Sequence, residues 1–131
     1  MHTFNSNKRI VSKQPGEVFA FLSNLNNWEK LMPENVENWE STGETCRFEI
    51  KGTGNLGLRI IEQKEPEYIR LDDNGKAPIK YTFHVYISPL DGQSEIFFTI
   101  DAETNAFTRM IIERPLTNFL NMLVEKVEQS V

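Results

Sequence analysis

Hydrophobic positions along the chain change period as it proceeds. Helical spacing governs the final stretch, PLTNFLNMLVEKVEQ, where Leu116, Phe119, Leu120, Leu123 and Val127 form one apolar stripe. Thr117, Asn121, Glu125 and Glu128 fall on the opposite side, and Pro115 suits a first helical turn. The helix is expected to begin earlier still, with Asn105 as its cap and Phe107, Met110, Ile111 and Arg114 sharing one face. Period two governs the middle of the chain. Cys46, Phe48 and Ile50 alternate with Arg47, Glu49 and Lys51, and Leu56, Leu58 and Ile60 repeat the theme after a glycine-rich turn. Ile69 and Leu71 form a shorter strand, which Asp72-Asp73-Asn74-Gly75 should end. Two further strands follow, with Tyr81, Phe83, Val85 and Ile87, then Ile96, Phe98, Ile100 and Ala102, facing inward.

The opening segment, residues 2–13, reads as one strand with Phe4 and Ile10 on the same side. Pro15 then starts a short helix over residues 15–24, and Trp28, Leu31 and Met32 mark a second helical turn that Pro33 stops. Short connections between successive strands favour an antiparallel meander. The order is strand, two short helices, about six strands, then a long helix. A curved sheet wrapped around that last helix would cover the inward apolar surface.

This layout resembles the birch-pollen-allergen or START-like superfamily, also called SRPBCC, whose architecture is the helix-grip fold. The likeness spans essentially the whole chain. It rests on KQPGEVFAFLSNLNNWEKLMP after the opening strand and on the closing PLTNFLNMLVEKVEQ helix. The resemblance implies an α+β domain over residues 1–131, with an antiparallel sheet of six or seven strands gripping the terminal helix. It also implies a cavity that in relatives holds lipids, sterols, polyketides or other apolar molecules. Some branches are enzymes, among them aromatic cyclases and dehydratases; others are lipid carriers or chaperone activators. Fold alone does not choose between them.

Composition narrows the choice of partner. The 131 residues carry a net charge of −5 without a Lys/Arg cluster, which argues against nucleic acid. No run approaches transmembrane length, so stable membrane insertion is not expected. A single cysteine, Cys46, excludes an internal disulfide framework and makes a reducing cytoplasm the default expectation. Nine phenylalanines suit an apolar interior, even a hollow one.

Candidate chemistry is sparse. Residues 52–57 spell G-x-G-x-x-G, but the dinucleotide fingerprint needs a helix next, and Leu58-Arg59-Ile60-Ile61 is strand-like. A hairpin turn that binds no nucleotide is the expectation. Alternation sends His84 to the wet face without the companions a zinc site needs, so neither metal nor cofactor is expected. Cys46 reads as core filler. The expected apolar wall is Phe48, Ile50, Leu58, Ile69, Leu71, Phe83, Val85 and Phe98, with Tyr81 as a packed aromatic or a polar anchor. No His, Asp or Glu falls convincingly inward, so an apolar small-molecule binder is favoured. A cyclase-type enzyme and an interaction domain with a filled cavity are the alternatives.

Pro115 adds a fork. A break there would turn Phe107 and Ile111 inward. A continuous, bent helix would place Arg109 and Glu113 at the cavity mouth as a polar pair. It would also expose Phe107, Met110 and Ile111 as a candidate dimer, membrane or ligand-gate surface. The bend is preferred.

Overall fold

The computed structural model describes residues 2–52, 54–74 and 80–131. Its strands are β1 (His2–Asn5), β2 (Arg9–Val11), β3 (Val36–Ser41), β4 (Thr45–Ile50), β5 (Gly54–Lys64), β6 (Tyr68–Asp73), β7 (Tyr81–Leu90) and β8 (Gln93–Ala102). They form one antiparallel sheet in the order β1-β8-β7-β6-β5-β4-β3, with β2 also paired to β8. Between β2 and β3 come α1 (Pro15–Leu22) and a 3₁₀ segment (Leu25–Leu31). The chain closes with α2 (Ala106–Ser130), which runs through Pro115 as one helix.

The alternation in β4, β7 and β8 is as expected, because each strand buries one face against the core. The opening strand differs. Asn5 pairs with Thr99 and Arg9 with Ile96, so four steps along the first strand span three along β8. That extra residue is a bulge, which flips the alternation. Ser6 occupies the gap: its N–H donates to the Phe98 carbonyl (2.9 Å), and its hydroxyl accepts from the Phe98 N–H (2.9 Å). Phe4 is therefore buried, but Ile10 is 50% exposed and Val11 takes the inner position expected for it. The strand holding Ile69 and Leu71 also runs on through Asp72 and Asp73 rather than ending there. Gly75, in the expected turn, lies outside the described residues.

Both short helices cover one end of the sheet. Trp28 donates its indole N–H to the Leu22 carbonyl (2.9 Å) and packs on Phe83 and Phe98, with ring centroids 5.4 and 5.9 Å away. Along α2, Asn105 caps the first turn by accepting from the Thr108 N–H (2.8 Å). Every buried side chain of this helix comes after Pro115: Leu116, Phe119, Leu120, Leu123, Val124 and Val127. This stripe approaches β1, β2, β8 and the 3₁₀ segment. Polar ties fix the same edge, with Asn7 N–H donating to Asn121 Oδ1 (2.7 Å) and Arg9 pairing with Glu128 (3.2 Å).

Across the wider gap, Phe119 reaches the sheet by stacking on Phe48, which stacks on Trp39 at its other side. Phe119→Ala should lower unfolding stability by about 3–5 kcal/mol, while Met122→Ala on the exposed side should stay within about 0.5 kcal/mol. Urea unfolding of the two variants checks this; equal midpoints would show that α2 is not gripped through Phe119.

Candidate functional site

Because α2 lies toward the β1–β2–β8 edge, the inner face of β4, β5 and β7 is incompletely covered. A partly open cavity of about 190 Å³ remains there. Its sheet side is made by Phe48, Leu56, Leu58, Tyr81, Phe83, Ile100 and Ala102. The helix supplies Thr108, Ile112, Leu116, Phe119 and Leu123, and Trp28 and Met32 close one end. Gly54 and Asn55, where β5 begins, complete the wall.

Of the wall expected from alternation, Phe48, Leu58, Tyr81 and Phe83 border this space. Ile50, Ile69, Leu71, Val85 and Phe98 are buried but do not border it. Alternation gives the face of a strand and says nothing about position along it; α1 packs over β7 and β8, filling that region solidly. Trp28, Ile100, Ala102 and Leu116, expected in the core but not in the cavity wall, also border it, as does Ile112, which lay off the expected stripe. For the first four the apolar periodicity carried a signal that did not separate hollow from filled core; for Ile112 the larger apolar neighbours Phe107, Met110 and Ile111 pointed the pattern to the other face.

Arg109 and Glu113 do not face the cavity mouth. Both are exposed on the outside of the continuous helix. From Leu116 the inward stripe steps back four residues at a time, to Ile112 and Thr108, and each position of error rotates a side chain by about 100°. Arg109 instead lies with Nη1 3.3 Å from His2 Nδ1. Phe107, Met110 and Ile111 are 71%, 79% and 58% exposed.

Tyr81 is tied to the backbone of the glycine segment. Its hydroxyl donates to the Gly57 carbonyl (2.7 Å) and accepts from the Gly57 N–H (2.9 Å). Burial, above all, pushes its pKa up, and Asp73 adds to the rise while the Gly57 hydrogen bond opposes it. A Cβ on Gly57 would sit 3.2 Å from the Asn74 and Cys46 backbones, so this glycine permits a close strand approach. The G-x-G-x-x-G stretch is thus a β4–β5 connection running into strand, with left-handed Gly52 (φ 81°) at its turn. Thr53 lies outside the described residues. Cys46 is buried behind the same wall, and burial pushes its thiol up to about 12 despite a hydrogen bond with the Leu58 backbone. Such a thiol is no nucleophile at neutral pH.

The outer face of the sheet carries a separate polar chain. Thr3 Oγ1 donates to Asp101 Oδ1, Asp101 Oδ2 lies 3.0 Å from His84 Nε2, and His84 Nδ1 lies 2.6 Å from the Tyr68 hydroxyl. A carboxylate only accepts, so Nε2 carries the proton, and in neutral imidazole Nδ1 accepts from Tyr68. His84 faces outward as expected, but it is partly buried and fully engaged, not a free surface group. Carboxylate, imidazole and hydroxyl in series resemble a nucleophile triad. However, burial raises the Tyr68 pKa, and the chain lies across the sheet from the cavity. Its structural effect is to pin β6, β7, β8 and β1 together.

Among the described residues no cluster suits a metal ion, and no helix is long and apolar enough to cross a membrane. No family model and no curated protein sequence matches the chain. Solved structures do. XoxI from Bacillus cereus aligns over 98% of this chain and 94% of its own, with a TM-score of 0.77 at 10% identity. Norcoclaurine synthase from Thalictrum flavum aligns over 98% of this chain and 84% of its own, also at 0.77 and 10%. The di-domain ARO/CYC protein BexL, from the BE-7585A biosynthetic pathway, gives 0.67 at 15% identity, and the match spans 47% of its length.

The chain has the helix-grip fold. Sheet, terminal helix and the two short helices all agree with the START-like (SRPBCC) architecture that the sequence resembles. At these identities the likeness carries the fold and not the chemistry, so the helix-grip cavity must be read from its own residues.

Cys46 and Tyr81 are both held protonated in the folded state. Each raised pKa contributes stability that is present below the unfolded value and lost as pH rises toward the folded one. For the thiol that window runs from 9.0 to about 12. The denaturant midpoint should fall across it, and Cys46→Ala should flatten the first part of the fall. A wild-type curve that stays level there would contradict the burial of both groups.

Proposed function

We propose that the helix-grip cavity binds one compact apolar molecule without chemically altering it. The observation that carries this reading is a partly open space of about 190 Å³ with a mainly apolar wall in which Phe, Leu, Ile and Trp predominate. Among the described residues Tyr81 is the one ionisable side chain that borders it, and its hydroxyl is engaged with Gly57 and with Asp73 rather than free to face a ligand. General acid–base catalysis needs a group that can exchange a proton with the bound substrate. The cyclase reading therefore has less support than the binding one, although a synthase and an ARO/CYC protein share the fold.

Volume bounds the occupant. A dry engineered void of about 150 Å³ takes up benzene, so this cavity suits a molecule of one or two rings or a short branched chain. Burying roughly 200 Å² at about 25 cal/mol per Å² gives about 5 kcal/mol before ordering costs, or Kd on the order of 10⁻⁴ M. Toluene and naphthalene should bind saturably in an NMR titration. Ile112→Trp, which fills the space from the helix side, should weaken that binding at least tenfold while the protein stays folded. Lack of saturable binding, or binding indifferent to the filled cavity, would defeat the proposal.

We infer also that the outer stripe of α2 pairs with a second copy of the chain. Phe107, Met110 and Ile111 form an exposed apolar stripe on a stretch that buries little of itself. Phe107 and Ile111 are one turn apart and Met110 lies between them, so the three share one face that a two-fold can set against its own copy. Light scattering should show a dimer that Ile111→Glu dissociates while the circular dichroism spectrum stays unchanged. A monomer at all concentrations, or binding of the wild type to lipid vesicles in place of dimerisation, would overturn this pairing.

A further inference from the structure

The cavity's polar groups are few enough to be accounted for individually. The Trp28 indole N–H is donated to the Leu22 carbonyl. The Tyr81 hydroxyl is engaged with the Gly57 carbonyl and N–H and with Asp73. Asn55 borders the space, but alternation puts Leu56 and Leu58 on the cavity side of β5 and sends the Asn55 side chain to the other face. Thr108 is different. It stands on the inward stripe of α2, four residues before Ile112 and eight before Leu116, and all three border the cavity. Its backbone N–H is taken by Asn105, yet its hydroxyl makes no hydrogen bond among the described residues. Helical threonines often return that hydroxyl to the carbonyl four residues back; Thr108 does not.

Charge is equally informative. No Lys, Arg, Asp, Glu or His borders the cavity among the described residues. A carboxylate or ammonium group entering it would lose its water without gaining a counter-ion, which is costly. A neutral hydroxyl or carbonyl would lose far less, and Thr108 can both donate to it and accept from it.

We propose that Thr108 determines specificity in this cavity, and that its ligand is an uncharged, mainly apolar molecule with one hydroxyl or carbonyl group at the end facing α2. This rests on the binding function proposed above. The aromatic body lies among Phe48, Phe83 and Phe119, and the polar end sits beside the first turn of the helix.

Three compounds with one skeleton separate the terms: toluene, 4-methylphenol and 4-methylbenzoate, titrated by calorimetry or NMR. Wild type should bind 4-methylphenol about 2- to 12-fold tighter than toluene, the factor expected of one net hydrogen bond. It should bind 4-methylbenzoate at least tenfold more weakly than the phenol. Thr108→Val keeps the shape of the side chain, so it should erase the phenol's advantage and leave toluene unchanged. Thr108→Ser should keep the advantage. If toluene itself fails to bind wild type, the binding function falls and this inference with it. If toluene binds but the phenol's advantage is missing, or survives in Thr108→Val, the role of Thr108 is overturned. Equal binding of the benzoate and the phenol would overturn the requirement for a neutral ligand.

Discussion

Everything in this molecule depends on where α2 meets the sheet. Its apolar stripe begins at Leu116 and lies toward β1, β2, β8 and the 3₁₀ segment, while the sheet extends onward through β7, β6, β5 and β4. One helix cannot cover so wide a curved surface. Aromatic bulk bridges part of the difference, through Trp39, Phe48 and Phe119 in one stacked series and Trp28, Phe83 and Phe98 in another. What those rings do not fill is the cavity. Its existence is thus a packing consequence of the fold, and its chemistry depends on which side chains happen to border the gap.

Polar groups hold the frame around that gap without entering it. Tyr81 reaches from β7 to Gly57 on β5, closing the sheet behind the cavity. On the other face, Thr3, Asp101, His84 and Tyr68 tie four neighbouring strands. A buried polar group that has its partners costs little, whereas one aimed into the void would cost far more. The wall is accordingly mainly apolar, with the Thr108 hydroxyl the exception. A rigid frame and an uncharged wall favour recognition of an apolar molecule over transformation of it.

The strand faces in β4, β7 and β8 were legible because period two survives wherever one side of a sheet is buried. Asn105 as a cap was legible for a local reason of the same kind, whereas the continuation of α2 through Pro115 followed from the resemblance to a fold with one long terminal helix, since proline locally favours a break. The opening strand was not, since a one-residue bulge depends on a hydrogen bond between Ser6 and Phe98, 92 positions away. Nor was the phase of the first half of α2, where Thr108 and Ile112 interrupt a sequence whose larger apolar residues face outward. Phe98 and Phe83 look alike in sequence, yet only Phe83 borders the cavity. That difference is made by α1 and the 3₁₀ segment lying over one end of the sheet, which periodicity does not encode. The His84 network was hidden for a related reason: its members lie on strands whose register had to be known first.

A mainly apolar cavity left between sheet and helix is the central claim, and xenon tests it most directly. Crystals pressurised with xenon should show an atom within van der Waals reach of Phe48, Phe83 and Phe119, in a cavity otherwise free of ordered water. Ordered water hydrogen-bonded inside the cavity, or Phe119 and Leu123 collapsed onto the sheet with no xenon between them, would contradict it.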